Sequence, residues 1–276
     1  YNGYEFKHYK FDKYDKNSLP NNYIVDIIED KYGYLWISTI AGLSRINPET
    51  DEIKNYYTDK NSGNLSDSNL WQLLYTKDNK LIASTVNGLN VYDEKNDTFT
   101  RVLGNEKDLP SQYIYSIEEG PNGHIWIGTD NGLVEVDKNF KVVKTYEDTV
   151  ANSSVYEIEY DTNGYMWICT LDNGLFKVDL DNNSIINYKS DSNKYSLPSD
   201  SVRAIMHDAQ GNLWIGTEKG LCRYDYETDK FITYKKEAYQ NNTLVYDNIF
   251  CLFKDNSGLM WIGTYSGVSI FNPNSS

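Results

Sequence analysis

The side chains of this chain best suited to binding are aromatic rings, carboxylates and one arginine, in loops and at the starts of predicted strands. The candidate site residues are Arg203, Trp71, Tyr23, Tyr113, Tyr115, Tyr156, Asp130, Glu218, Tyr246 and Tyr265, with Asn69, Asp172 and Phe250 at related positions. Aromatic faces stack on the C–H faces of a sugar, hydroxyl groups need donors and acceptors, and a guanidinium favours an acidic substituent. The set predicts a site for a sugar or a similarly polar ring.

These residues are positioned by a repeated phrase, which reads LWIGTEKGL in its fifth copy. The six copies have their anchor residues at Trp36, Ile82, Trp126, Trp167, Trp214 and Trp261. A regular period of this length is typical of a repeat array, in which each copy buries its apolar faces against its neighbours. The candidate residues therefore lie where the copies differ from one another.

Each copy reads as four short strands. An apolar run precedes the anchor, with an aliphatic residue always nine positions before it, and turns such as DTNG or DNSG separate this run from the anchor strand. A tight turn ending in glycine leads to a third strand, and a fourth run such as FITYKK follows. The prediction is an all-β, six-bladed β-propeller of four-stranded antiparallel blades, forming a single domain over residues 1–276.

The chain ends predict how the last blade is completed. The sixth copy reaches NPNSS after its third strand, whereas YEFKHYKF, beginning at Tyr4, has the pattern of a fourth strand and precedes the first copy. Residues 4–11 are therefore expected to supply the missing strand of the last blade, which would leave no long bare edge.

The candidate residues are expected to meet at one axial opening. The connections between copies and the turns after the anchor strands open on the same face of a propeller, so their variable residues converge at the mouth of the central channel. By contrast, the recurring tryptophans and the threonines three residues after each anchor are expected to serve packing and local hydrogen bonding.

Two candidates have a second interpretation. Arg203 stands where the other copies have Val25, Trp71, Tyr115, Tyr156 and Phe250, so it either binds a ligand or forms an internal ion pair with Asp130 or Glu218. Trp71 belongs to the copy whose anchor is Ile82, so its indole either restores the packing volume lost there or offers a stacking platform facing the channel.

Charge and composition argue against other classes of function. A net charge of -14 repels nucleic acid phosphates and anionic lipid, and no basic cluster overrides it. The histidines His8, His124 and His207 are scattered and form no metal cluster, and no nucleophile stands in a recognisable setting. No catalytic residue, metal or cofactor is therefore predicted, and the chain is expected not to be an enzyme.

The pattern NGxIWIGTxxGL, followed by a short strand ending in Asp, resembles the two-component regulator propeller repeat in all six copies. The resemblance implies an extracytoplasmic input domain ahead of a transmembrane helix and a cytoplasmic output such as a histidine kinase. It also implies an oligosaccharide or small-molecule ligand, and signalling would need a homodimer or a shift between dimer arrangements.

Two alternatives to this input role remain. A scaffold for protein contacts would show an exposed apolar patch on the blade rims. A propeller lyase or hydrolase would show a histidine and a glutamate facing one another at the channel mouth.

Overall fold

The computed structural model describes residues 7–59, 63–104, 108–146, 150, 152–238 and 243–273. These residues form 23 strands in six antiparallel sheets and one short 3-10 segment at Pro121–Gly123. The chain divides into two compact units, unit 1 (residues 1–129 and 134–145) and unit 2 (residues 130–133 and 146–276). Over the described residues, no helix has the length and apolar character needed to span a membrane.

Three of the sheets have most or all of their residues in unit 1. Sheet 1 consists of β1 (Ile24–Glu29), β2 (Leu35–Thr39), β3 (Gly42–Ile46) and β4 (Ile53–Tyr56). Sheet 2 consists of β5 (Leu70–Tyr75), β6 (Leu81–Thr85), β7 (Gly88–Asp93) and β8 (Thr98–Leu103). Sheet 3 consists of β9 (Ile114–Glu119), β10 (Ile125–Thr129), β11 (Gly132–Val136) and β12 (Val142–Thr145).

The other three sheets lie in unit 2. Sheet 4 consists of β13 (Val155–Tyr160), β14 (Tyr165–Thr170), β15 (Leu175–Asp179) and β16 (Ile185–Tyr188). Sheet 5 consists of β17 (Val202–His207), β18 (Leu213–Thr217), β19 (Gly220–Asp225) and β20 (Lys230–Tyr234). Sheet 6 contains β21 (Ile249–Lys254), β22 (Met260–Thr264) and β23 (Gly267–Phe271). The fold is a six-bladed β-propeller, as predicted.

The recurring tryptophans and threonines hold each sheet together locally. Four anchor indoles donate a hydrogen bond to the aspartate that begins the preceding turn. These bonds join Trp36 to Asp30 (2.8 Å), Trp167 to Asp161 (2.8 Å), Trp214 to Asp208 (2.9 Å) and Trp261 to Asp255 (2.8 Å). The threonine hydroxyl closes the next turn, as where Thr39 donates to the carbonyl of Gly42 at 2.7 Å. The structural role predicted for both residue types is confirmed.

The glycine of that turn is required by close approach. Gly88 has φ +97, and a Cβ at this position would lie 2.1 Å from the carbonyl oxygen of Leu103. A side chain would be strained there in both conformation and space. The glycine therefore allows the third and fourth strands of sheet 2 to pair closely at this end.

In three copies, a side chain ten residues before the anchor joins neighbouring sheets. It lies next to the β-bulge of the first strand and accepts the main-chain N–H of the following sheet. The three ties run from Leu73 N–H to Asp26 (2.7 Å), from Ile117 N–H to Gln72 (2.6 Å) and from Ile205 N–H to Glu157 (3.1 Å). Burial raises the pKa of Asp26 although its carboxylate accepts two main-chain N–H groups.

The described part of the amino-terminal segment does not form the predicted strand of the last blade. Residues 7–11 have no strand structure, and sheet 6 has three strands among the described residues; residues 4–6 lie outside them. Instead, Lys7 pairs with Asp51, and the Tyr9 hydroxyl donates to Asp51 at 2.8 Å. The Tyr9 ring packs on the apolar cluster of Leu19 and Ile37. The ring and the hydroxyl of Tyr9 therefore both contact residues in or beside sheet 1.

Candidate functional site

Three of the predicted binding residues come together in unit 2 around Phe250, in what we call the Arg203 cluster (Arg203, Tyr246, Asn248, Phe250 and Tyr265). The guanidinium carbon of Arg203 lies 4.9 Å from the centre of the Phe250 ring, and Arg203 Nη1 donates to Asn248 Oδ1 at 3.1 Å. The ring of Tyr265 lies 6.3 Å from Phe250 and 6.1 Å from Tyr246. Three aromatic rings and one cation thus form a continuous group.

The β-bulges explain how these side chains reach one place. In sheet 5 the register jumps between Val202 and Ala204, so Arg203 is the extra residue of a bulge. Phe250 is the extra residue of the corresponding bulge in sheet 6. A bulge turns its extra side chain away from the regular alternation of the strand. The tight turn after β22 then supplies Tyr265, whose N–H donates to the carbonyl of Asn248 at 3.1 Å.

The Arg203 cluster is accessible to solvent. Tyr265 is 74% exposed, Tyr246 41% and Phe250 39%. Among the described residues, Arg203 forms no ion pair with Asp130 or Glu218, so the internal pair that the sequence allowed is not formed there. Its guanidinium keeps N–H groups for a ligand beyond the one bound to Asn248.

The other predicted binding residues of unit 2 are Asp130, Tyr156 and Glu218, with Asp172 at a related position. Asp172 and Glu218 are exposed, and Tyr156 is half-buried on β13. Asp130 is half-buried; its carbonyl accepts the Ser154 hydroxyl at 3.2 Å, and its buried Oδ1 has no hydrogen-bond partner in the described part of the chain.

In unit 1 the candidates form a smaller group. The rings of Trp71 and Tyr115 meet edge to face with their centres 4.7 Å apart, and Tyr23 and Tyr113 are exposed. Ile82 is surrounded by the core residues of sheets 2 and 3, whereas Trp71 packs against Tyr115.

A second group of residues in unit 1 was missed by the sequence reasoning. Arg45 lies over three aromatic rings, with its guanidinium carbon 5.1 Å from the centre of Tyr34, 5.5 Å from Trp36 and 6.0 Å from Tyr56. Its Nη1 donates to the Tyr92 hydroxyl at 2.9 Å and approaches Asp97 at 3.5 Å. We call this group the Arg45 cage (Tyr34, Trp36, Arg45, Tyr56, Tyr92 and Asp97).

The Arg45 cage borders a cavity of about 420 Å³ between sheets 1 and 2. Its lining includes Asp30, Tyr34, Arg45, Tyr75, Asn79 and Glu94. These residues lie at the end of the sheets where the first and second strands are joined. The predicted binding residues lie at the opposite strand ends.

Unit 2 contains an equivalent group built on a lysine, the Lys177 cage (Tyr165, Trp167, Lys177, Tyr188, Tyr224 and Asp229). Lys177 Nζ lies 3.9 Å from the centre of the Tyr165 ring, 5.2 Å from Trp167 and 5.3 Å from Tyr224. Burial lowers the pKa of Lys177, against the attraction of Asp229, Asp161 and Asp179. The sequence does contain a pattern that could have indicated both cages: Arg45 and Lys177 each stand three residues after the turn glycine of their copy.

Two of the histidines, His124 and His207, each lie beside a carboxylate. His124 Nδ1 lies 2.6 Å from Glu135, and His207 Nδ1 lies 2.9 Å from Glu159. Within the described ranges, no group of three or more His, Cys, Asp or Glu side chains is arranged to hold a metal ion.

Segments that contain the repeated phrase match a known protein family and a curated sequence. Four segments, residues 18–41, 108–131, 196–219 and 243–266, match the family model described as two component regulator propeller. A curated relative, "Histidine kinase P4" of Formosa agariphila, is 51% identical over 41 residues, which are 14% of this chain and 3% of that protein. The chain thus matches only a small part of this relative.

Solved structures share the fold over nearly the whole chain. The extracellular domain of a B. thetaiotaomicron protein named as a one component system has a TM-score of 0.76 at 23% identity, over 96% of this chain and 34% of that chain. An extracellular domain named as part of a hybrid two component system, from the same organism, has a TM-score of 0.69 at 21% identity, over 91% and 40%.

Virginiamycin B lyase of Staphylococcus aureus has a TM-score of 0.66 at 16% identity, over 92% of this chain and 85% of the enzyme. At such identities these likenesses show the fold alone. The chain spans well under half of the two extracellular domains.

Proposed function

We propose that this chain, which carries repeats of the two component regulator propeller family, is a ligand-sensing input domain. In this proposal it binds a carbohydrate or another small polar ligand at the Arg203 cluster. We take residues 1–276 as one sensing domain. Its role is binding, without catalysis.

The observation that carries the proposal is the accessible contact of Arg203 with Phe250, whose ring lies beside that of Tyr265. Exposed aromatic rings can stack on the apolar faces of a sugar, and the guanidinium can donate to hydroxyl or carboxylate oxygens beside them. Aromatic residues and arginine are also the side chains that most often dominate binding energy.

The similar proteins support the signalling context. The B. thetaiotaomicron structures are named as extracellular domains of one- and two-component systems, and the curated relative is named a histidine kinase. We therefore propose an extracytoplasmic location and a transmembrane and cytoplasmic output in the parent protein. A change between homodimer arrangements would transmit ligand binding to that output.

Titration calorimetry with neutral and uronic-acid-containing oligosaccharides tests the proposal. We expect binding of at least one oligosaccharide and a loss of affinity of about 10- to 100-fold in Arg203→Ala, as a charged hydrogen bond commonly contributes. Phe250→Ala should weaken the same ligand through lost stacking.

Arg223→Ala provides the matched control, because it removes an arginine outside the Arg203 cluster. Unchanged affinity in Arg203→Ala would reject the site. Absence of binding across the oligosaccharides would reject the ligand class and favour a scaffold for protein contacts.

A further inference from the structure

The cavity of unit 1 has polar groups that the protein itself does not use. Over the described residues, no hydrogen bond is formed by the hydroxyls of Tyr34 and Tyr75 or by the side-chain amide of Asn79, and Arg45 bonds only through Nη1. Hydroxyl and amide groups can each donate and accept, and the remaining guanidinium N–H groups donate. The lining therefore offers both kinds of hydrogen bond beside aromatic surface.

The corresponding space in unit 2 is filled by the protein itself. Tyr226 follows its turn glycine by six residues, as Glu94 does in unit 1, and its hydroxyl donates to Asp161 at 3.0 Å. The same hydroxyl lies 3.2 Å from His207 Nε2, and His207 corresponds to Tyr75. Unit 1 has Glu94 in place of Tyr226 and Tyr75 in place of His207. These two differences leave a cavity where unit 2 has the Tyr226 side chain.

The charges around the cavity are balanced within the protein. Asp97 pairs with Arg45 and Lys54, and Glu94 pairs with Lys31. The Arg45 guanidinium already occupies the aromatic faces of the cage, so they are not available to a cationic ligand. An anion would meet the carboxylates of Asp30, Glu94 and Asp97. A neutral ligand with several hydroxyl groups fits these conditions best.

We propose that this cavity binds a neutral pyranose unit, at a site separate from the Arg203 cluster. A volume of about 420 Å³ accommodates one or two sugar rings and falls within the usual range of small-molecule sites. The ring stacks on the aromatic lining, its hydroxyls accept from Arg45, and they exchange hydrogen bonds with Tyr75 and Asn79. The site is independent of the proposed sensing role.

The decisive variant gives unit 1 the filling seen in unit 2. Glu94→Tyr combined with Tyr75→His places a tyrosine and a histidine at the positions of unit 1 that correspond to Tyr226 and His207. Saturation-transfer NMR is recorded with glucose, galactose, mannose, xylose, cellobiose and maltose at millimolar concentration. All chains in this test also carry Arg203→Ala, so that the Arg203 cluster does not contribute to the signal. We expect transfer to at least one sugar in Arg203→Ala and its loss when the two substitutions are added, with thermal melting followed by circular dichroism to verify folding.

Milder variants keep the test decisive if the double variant fails to fold. Tyr75→Phe removes a hydroxyl that has no partner among the described residues, so it should leave the melting temperature unchanged and weaken sugar binding by about 3- to 10-fold. Tyr226→Phe, the matched change in the filled copy, should leave the signal unchanged. No transfer from any of these sugars, or transfer that persists in Tyr75→Phe at full strength, would overturn the proposal.

Discussion

In the Arg45 cage a guanidinium carbon lies 5.5 Å from the Trp36 ring, and in the Lys177 cage an ammonium lies 5.2 Å from the Trp167 ring. In both cages an aspartate with positive φ accepts hydrogen bonds from two tyrosine hydroxyls. Asp97 accepts from Tyr56 and Tyr92, and Asp229 accepts from Tyr188 and Tyr224. The two regions share one hydrogen-bonding plan.

They differ in what lies next to the cation. Glu94 leaves a cavity beside Arg45, whereas Tyr226 packs against Trp167 and binds Asp161. The repeat can thus keep its packing and hydrogen bonds while the space above the cage is either open or filled. Binding capacity in this fold therefore depends on positions outside the recurring phrase.

The largest expected effect tests whether the two cages contribute equally to stability. Trp36→Ala and Trp167→Ala should each lower the free energy of unfolding by about 3–5 kcal/mol, because both indoles are fully buried among other rings. Trp261→Ala is the control and should cost clearly less, since this indole is 36% exposed. Urea denaturation measures all three. Equal losses at Trp167 and Trp261 would show that burial in the cage does not determine the cost.

The next largest effect compares the aspartates of the two cages. Asp97→Asn and Asp229→Asn should each cost about 1–3 kcal/mol at neutral pH, through weakened hydrogen bonds from the tyrosines. Asp97→Asn should cost more, because Asp97 also pairs with Arg45 and Lys54. Urea denaturation at neutral pH compares the two variants, and a larger cost for Asp229→Asn would contradict this ranking.

The pH dependence of these aspartates has a definite sign. Hydrogen bonds from Tyr188 and Tyr224 hold the pKa of Asp229 below its ordinary value despite burial. The stabilisation is fully present above the ordinary pKa of an aspartate and is lost as pH falls through the lowered value. The wild type should therefore lose more stability than Asp229→Asn on acidification from pH 5, as measured by urea denaturation. Parallel losses would show that Asp229 does not contribute.

The smallest effect concerns the buried lysine. The pKa of Lys177 lies below its ordinary value because burial disfavours the charged form. The free energy of unfolding should therefore rise with pH between this lowered pKa and 10.5 in the wild type, and that rise should be smaller in Lys177→Met. At neutral pH the variant should change stability little. A large loss at pH 7, measured by urea denaturation, would show that the cation–aromatic contacts outweigh the burial of the charge.

The repeating part of the fold was predictable from the sequence, and the individual features of its copies were not. Strands such as β10 follow directly from the anchor phrase, because alternation, turn glycines and β-branched residues all agree there. The contacts of residues 7–11 depend on an apolar surface and on Asp51, more than forty residues away, so a strand-like pattern alone was misleading.

The Arg45 cage escaped prediction for a related reason. Its tyrosines and aspartate come from two successive copies, and the position of the cation is occupied by different residue types around the chain: Arg45, Val91, Glu135, Lys177, Arg223 and Ile270. The Arg203 cluster was partly predictable, because Arg203 stands out among apolar equivalents. That Phe250 links it to Tyr265 depends on the bulges, which the sequence pattern does not reveal.

The ties between sheets have a consequence for how such arrays grow. The donor in each tie is a main-chain N–H, as in Leu73, Ile117 and Ile205, and every copy supplies this group whatever its side chains are. A copy added by tandem gene duplication therefore brings this N–H donor with it. The residue ten positions before the anchor of the preceding copy then determines whether the hydrogen bond between the two sheets forms. Arrays of this kind can gain or lose a copy without a compensating change in the adjoining one.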